Sequence, residues 1–242
     1  MIEAPRAARQ AGQWRVASYN LRALQDDVSA TVRVMRAIDP DVVLLQEIPR
    51  VPFSARAMHD FAQQCGLTWP GRTRRVSGVS MLVHSRLQAS AAQDRALPVE
   101  FLGNPRTYTV ARLADEFGHH AAAVAIHLPL IAAQRRDHVA QILAELTRDP
   151  LTRDLPWIIG GDINEDQTAP AWQMLAAHAE LVTPLKPSFP AHNPHRTIDA
   201  IFATQDVSVS GEAEIDLDPA DVTAATDHVP VWVDVQVPSR QP

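Results

Sequence analysis

The chain has 242 residues, of which 46% are hydrophobic and 21% charged, and its formal net charge is −6. That is enough apolar content to build one large domain and too much for a disordered tail. No run of about 18 apolar residues occurs, which excludes a helical membrane span. The negative charge argues against a surface that is basic throughout, as non-specific nucleic-acid binders carry, while leaving room for a basic rim around an acidic centre.

Cys65 is the single cysteine, so no disulfide can form within the chain. This fits a reducing compartment, and a cytoplasmic location is expected. Its bland reading is a small buried apolar residue near a helix end. Residues 1–13 are polar and lack the apolar centre of a secretory signal, so they are expected to be flexible. A single domain over 14–237 and a short tail at 238–242 complete the expected organisation.

Residues 15–20 read as a first strand ending on Asn20. Val28, Val32, Met35 and Ile38 then recur at helical spacing, and Asp39-Pro40 ends that helix. Residues 42–45 are a continuous apolar strand, buried on both faces, that stops at Gln46-Glu47. A helix over 53–64 is followed by Gly66 as its stop. Strands are expected over 79–84, 107–113 and 121–127, the last running into His127. Val139, Ile142, Leu143 and Leu146 form the buried stripe of a second long helix. An apolar strand over 157–159 runs into Gly160-Gly161-Asp162-Ile163-Asn164, and a short helix covers 171–178. Residues 184–194 are proline-rich and read as a surface loop. Strands over 197–203 and 229–235 close the chain. Strands outnumber helices and several follow one another directly, which suits an α+β layered sandwich with helices outside two packed sheets. No Gly-x-Gly-x-x-Gly follows a strand, so a dinucleotide-binding alternation does not fit.

Several apolar strands end abruptly in acid, amide or imidazole. They end at Asn20, at Gln46-Glu47, at His127 and at Asp162-Ile163-Asn164, and Thr226-Asp227-His228 leads into the last strand. Asp199 lies inside a further apolar strand, where a lone carboxylate is costly without a partner. Each alone reads equally as a cap, an Asx turn or a satisfied core histidine. Together they place Glu47, Asp162, Asp199 and Asp227, with Asn20 and Asn164, as hard oxygen donors suited to Mg²⁺ or Mn²⁺. The histidines are scattered and there are no cysteine pairs, which disfavours zinc. His127 and His228 read better as phosphate donors or acid–base groups. P-loop and serine-elbow motifs are both missing.

Six segments, in this order, resemble the endonuclease/exonuclease/phosphatase superfamily with its DNase I-like fold. They are Ser18-Tyr19-Asn20-Leu21-Arg22, Leu45-Gln46-Glu47, His127 after the mid-chain strand, Gly161-Asp162-Ile163-Asn164, Ile198-Asp199-Ala200-Ile201 and Thr226-Asp227-His228-Val229-Pro230-Val231. The resemblance implies a four-layer α/β/β/α sandwich and metal-dependent attack of water on a phosphoester. Glu47, with Asn20 and Asp227, would hold Mg²⁺, with Mn²⁺ as the other option. Asp162 would orient and deprotonate the water, and Asn164 would bind water or phosphate. His228, held by Asp199, would donate to phosphate oxygens, and His127 could assist the leaving group. Arg22 stands where some family nucleases carry a metal-binding Asp. The stretch 77–80 lacks the carboxylate that partners the leaving-group histidine in the DNase I branch. Arg22, Arg106 and Arg135 are candidate substrate contacts, Arg135 also reading as a helix anchor or a solvated helix face. Arg72, Arg74 and Arg75 form a basic cluster that could meet a nucleic-acid backbone or simply face solvent. The implied partner is a phosphoester: nucleic acid, or a small-molecule or lipid-derived ester. The lipid form is the weaker, because no apolar hairpin with exposed aromatics is present. A non-catalytic binding module on the same fold is the remaining alternative. Oligomeric state is not legible.

Overall fold

The computed structural model describes residues 9–50, 54–71, 77–98, 105–211 and 214–239. Five strands form one sheet: β1 (Gln13–Asn20), β2 (Val42–Gln46), β3 (Val79–Val83), β10 (Ser208–Gly211) and β11 (Val231–Gln236), in the order β10-β11-β1-β2-β3. Six strands form the other: β4 (Leu87–Leu97), β5 (Arg106–Asp115), β6 (His120–His127), β7 (Trp157–Asp162), β8 (Glu180–Leu181) and β9 (Asp199–Ala203), in the order β4-β5-β6-β7-β9-β8.

Alternation along the strands divides the core into layers. Val16, Val42, Leu44 and Val233 point inward from the first sheet, against Ala111, Ala121, Ala123, Ala125, Ile158 and Ile201 of the second. Outside the first sheet, Tyr19, Val43 and Leu45 pack on the helices α1 (Val28–Ile38), α2 (Ser54–Gln64) and α5 (Pro219–Ala225). Outside the second, Val124, Ile126, Ile159 and Phe202 pack on α3 (Ala132–Arg148) and α4 (Pro170–Ala176). The architecture is the expected α/β/β/α sandwich. Each fully buried Leu, Ile or Phe contributes about 1.5–3 kcal/mol, so the three apolar layers are the main source of stability.

The helices end where the local signals say they should. Asp27 caps α1 by accepting from the Ala30 N–H (3.0 Å), and Asp39 closes it in the left-handed region with Pro40 next. Gly66, at φ 71°, follows α2, and Cys65 beside it is buried. The expected first residue of that helix, Phe53, lies outside the described residues, as do Arg72, Arg74 and Arg75.

Several features depart from the sequence reading, the short strands β8 and β10 among them. β4 was not expected: it is Ala-rich, half-exposed and broken by a register shift between Ser90 and Gln93, so it carries no clean alternation. α5 is seven residues long, yet has Asp218 accepting from the Ala220 N–H and Pro219 in its first turn. Residues 9–13 were expected to be flexible. Instead Arg9 pairs with Asp41 (3.0 Å), β1 starts at Gln13, and the Val237 N–H donates to the Gly12 carbonyl (2.8 Å). Past residue 237, Ser239 still bridges to His119.

Strand direction brings the polar ends to one edge. β1 and β2 are parallel, as are β6 and β7, so all four finish on the same side. β9 runs antiparallel to β7 and β11 antiparallel to β1, so these two begin there. Asn20 thus registers with Gln46, and His127, Asp162 and Asp199 form one line across the second sheet. The two glycines before Asp162 permit this closeness. A Cβ on Gly161 would lie 1.9 Å from the Ile126 carbonyl oxygen, and one on Gly160 would lie 2.8 Å from that of Ala200. Gly161→Ala is therefore expected to cost about 3 kcal/mol or more by forcing the backbone apart. Gly211→Ala, where nothing lies within 4 Å, should change stability by no more than about 0.5 kcal/mol. Urea denaturation of the two variants checks this contrast.

Candidate active site

The acidic edge is built around Asn20. Its amide nitrogen lies 3.2 Å from Glu47 Oε1 and 3.2 Å from Asp162 Oδ2, so one side chain donates to a carboxylate from each sheet. The Asn20 oxygen accepts the Arg22 N–H (3.0 Å), which fixes which way the amide faces. Asn20 therefore presents its NH₂, rather than its oxygen, to the carboxylates. Thr226 Oγ1 donates to the Asn20 carbonyl (3.1 Å) and brings Asp227-His228 alongside. Below this point Gln46 is fully buried, accepting from Ser18 Oγ and donating to the Leu44 carbonyl.

Backbone strain collects here. Glu47 has φ 47°, and Arg22, Ala23 and Leu24 have φ 44°, 58° and 54°. Non-glycine residues in this region cost about 1–2 kcal/mol each. Asn164, at φ 57°, adopts the same region more readily, as Asn does.

The two histidines occupy opposite electrostatic settings. His228 Nδ1 donates to Asp199 Oδ2 (2.8 Å), and its Nε2 faces Asp162 Oδ2 at 3.8 Å. Burial opposes charge on this ring, but Asp199 and then Asp162 outweigh it and raise the pKa to about 9. His228 is thus an imidazolium at neutral pH. His127 Nε2 faces the same Asp162 oxygen at 3.6 Å, but its Nδ1 lies 3.5 Å from Arg106 Nη1. Burial first, then the positive charges of Arg106, His228 and Arg50, depress its pKa to about 3. With Arg106 donating to Nδ1, His127 carries its proton on Nε2 and acts as a neutral N–H donor. That setting does not suit a proton source for a leaving group. Burial and the neighbouring Asp199 charge raise the Asp162 pKa to about 7, against the pull of His228.

Asn164 anchors the turn. Its N–H donates to Asp162 Oδ1 (2.9 Å) and its side-chain amide to the Leu128 carbonyl (2.8 Å). Asp227 stands at the rim, 3.7 Å from Arg22 Nε, and Arg22 also pairs with Asp26. Arg106 lies against His127 within the site. Arg135 is committed elsewhere: it is buried, it donates to Glu165 Oε2 (2.6 Å), and it also donates to the carbonyls of Pro129 and Leu130. It behaves as the anchor among the three readings and not as a solvated helix face.

Three participants escaped the sequence reading. Ser188, fully buried in the supposed surface loop, donates to Asp199 Oδ2 at 2.6 Å, the same oxygen that His228 uses. Glu165 joins Arg135 to the Trp172 N–H. Arg50 lies close enough to repel charge on Arg106 and His127. Only Glu165 had a local signal, as an acid one residue past Asn164 and seven before a helical tryptophan.

A divalent cation fits the donor chemistry. Asp162, Asp199 and His228 come within 4.8 Å of one another and form a group that could hold a metal ion. Within it, Asp199 and His228 are already hydrogen-bonded to each other. The remaining donors, Glu47, Asp162 and Asp227, are all carboxylates and suit a hard cation.

The sequence profile of the endonuclease/exonuclease/phosphatase family matches residues 17–228. No curated protein matches the sequence. Solved structures of similar fold include the human Nocturnin catalytic domain with bound sulfate, at TM-score 0.72 and 15% identity over 95% of each chain. Mannosyl-6-phosphatase of Bacteroides thetaiotaomicron gives 0.71 and 19%, over 92% of this chain and 99% of the other. TDP2 of D. rerio, complexed with a single strand DNA product, gives 0.69 and 17%, over 92% and 98%. At these identities the likeness is one of fold.

Two outcomes are expected. Arg135→Ala leaves Glu165 buried and unpaired, and should lower stability by about 3 kcal/mol in chemical denaturation. The His228 pKa is raised on folding, so its contribution is complete below about pH 6.5 and is lost as pH rises through about 9. Metal-free protein in EDTA should therefore melt at progressively lower temperature from pH 6.5 to 9. His228→Asn should flatten that slope.

Proposed function

Because the chain belongs to the endonuclease/exonuclease/phosphatase family of phosphoester hydrolases, we propose that its acidic edge hydrolyses a phosphodiester with Mg²⁺, in the manner of a nuclease. The observation that carries this reading is the Asn20 bridge, which holds carboxylates of both sheets at one point with the Asp199–His228 pair across from them. Glu47 and Asp227, with Asp162 beside them, would hold the cation, with Mn²⁺ as an alternative. When bound, the ion neutralises phosphate charge and makes water more acidic.

The chain's own groups supply the rest. Asp162, whose pKa burial and the Asp199 charge raise above the usual carboxylate range, is placed to take the proton of the attacking water. The His228 imidazolium, oriented by Asp199, donates from Nε2 to a phosphate oxygen and stabilises the charge that grows there. His127 offers a second, neutral N–H to the same phosphate. Arg106 supports His127 from behind and adds positive charge without a carboxylate partner within ion-pair distance among the described residues. Asn164 fixes Asp162 so that its Oδ2 faces both histidines.

A phosphatase acting on a small phosphoester is the second reading. The net charge of −6 favours it, since a long polyanion would meet repulsion beyond the immediate site.

Turnover of a phosphoester panel with Mg²⁺, Mn²⁺ and EDTA tests both. Glu47→Ala should abolish metal-dependent activity. Asp162→Asn should lower kcat by about 10²–10⁴-fold, and His228→Asn by about 10²–10³-fold. Turnover of oligonucleotides with none of a small phosphomonoester supports the nuclease form, and the reverse supports the phosphatase. No turnover of either, with metal present, would remove the catalytic reading.

A further inference from the structure

The loop over 188–196 does more than cover the sheet edge. The Phe189 N–H donates to the Arg196 carbonyl (3.1 Å) and the Arg196 N–H to that of Phe189 (3.0 Å), which closes the loop as a small antiparallel bridge. Its far side is tied to the site, because the Ala191 N–H donates to the Asp227 carbonyl (2.8 Å) and the Val229 N–H to that of Ser188 (2.7 Å). The partly exposed Phe189 ring rests on the imidazole of His228, with centroids 4.9 Å apart. Arg196 lies over that ring with its guanidinium carbon 5.7 Å from the centroid.

Arg196 is exposed and has no carboxylate within ion-pair distance among the described residues. Its charge is still felt at Asp166, four residues beyond Asp162. The guanidinium is linked to the site through the ring that packs on His228, and its charge reaches the acidic turn past Asp162. This sets an exposed cation one aromatic ring away from His228, steadied by that ring and a closed backbone bridge. A guanidinium offers a planar donor fork that matches two oxygens of a phosphate. Of the other arginines near the site, Arg50 lies on the side of Arg106 and His127, and the rest are already engaged. Arg22 is paired with Asp26 and Asp227, Arg135 with Glu165, and Arg106 is turned to His127.

We propose that Arg196, seated on Phe189, forms a subsite for a second phosphate of the substrate, next to the one that is cleaved. The inference rests on the phosphoester reading above and deepens it. The second phosphate has two sources, the next linkage of a polynucleotide or the far phosphate of a small bisphosphate.

The test uses the whole chain and paired probes. One pair is a 5′-phosphorylated thymidine dinucleotide against thymidine 5′-p-nitrophenyl phosphate, and the other is fructose 1,6-bisphosphate against fructose 6-phosphate. Equilibrium binding is measured in EDTA, where turnover is stopped, and KM and kcat are measured with Mg²⁺. The wild type should bind the two-phosphate member of at least one pair about tenfold more tightly. Arg196→Ala should remove that preference and raise KM for the two-phosphate member about tenfold more than for its partner. Arg196→Lys should restore part of it. The pair that shows the effect identifies the source. Equal binding within both pairs in the wild type, or equal losses within both pairs on Arg196→Ala, would overturn the subsite. A preserved binding preference without Glu47-dependent turnover would leave the subsite standing and sink the hydrolytic reading alone.

Discussion

Two carboxylates from different sheets accept from a single amide nitrogen, and the geometry of the acidic edge follows from that contact. Glu47 and Asp162 repel each other, and each would be dispersed by water if left alone. Asn20 holds both by donation, without contributing charge of its own. The chain supplies further restraint through Thr226, which fastens the His228 segment to the Asn20 backbone, and through the parallel registers that bring the strand ends level. A site of this kind is costly in the empty state and is relieved by positive charge. In the proposed reading, that is the electrostatic reason for a cation to accompany the phosphoester.

The same edge sorts two chemically identical rings into different states. Both histidines approach the same oxygen of Asp162. Burial disfavours charge on both rings, and what stands behind each then separates them: a carboxylate backs His228, and a guanidinium backs His127. The neighbour on Nδ1 thereby sets whether Nε2 delivers charge or only a hydrogen bond. Ser188 belongs to this arrangement, because its hydroxyl shares the Asp199 oxygen with His228 and keeps that carboxylate turned toward the ring.

Much of this was legible in the sequence, and the reasons differ by residue. Glu47, Asp162 and Asp199 were visible because each interrupts an apolar run, where an ionised group has no structural excuse. The layers followed from apolar strands that outnumber the amphipathic helices and often follow one another directly. Partner identities were not legible. Arg135 meets Glu165 thirty positions away, and nothing in the helix pattern announces a buried guanidinium. Ser188 sits in a proline-rich stretch with no periodicity, so its complete burial depends on the fold. β4 failed for a local reason, since an alanine-rich edge strand with a register shift offers neither alternation nor β-branched residues.

The close approach at Gly160 and Gly161 has an implication for how such a scaffold can change. The main chain of β7 abuts its neighbours with no side chain between, so Asp162 is located by peptide-to-peptide contact and not by a choice of rotamer. Variation in the surrounding helices can shift side chains without displacing that carboxylate. The chemistry is accordingly insulated from drift in the outer layers, and new substrate preferences are free to arise in the loops that overhang it.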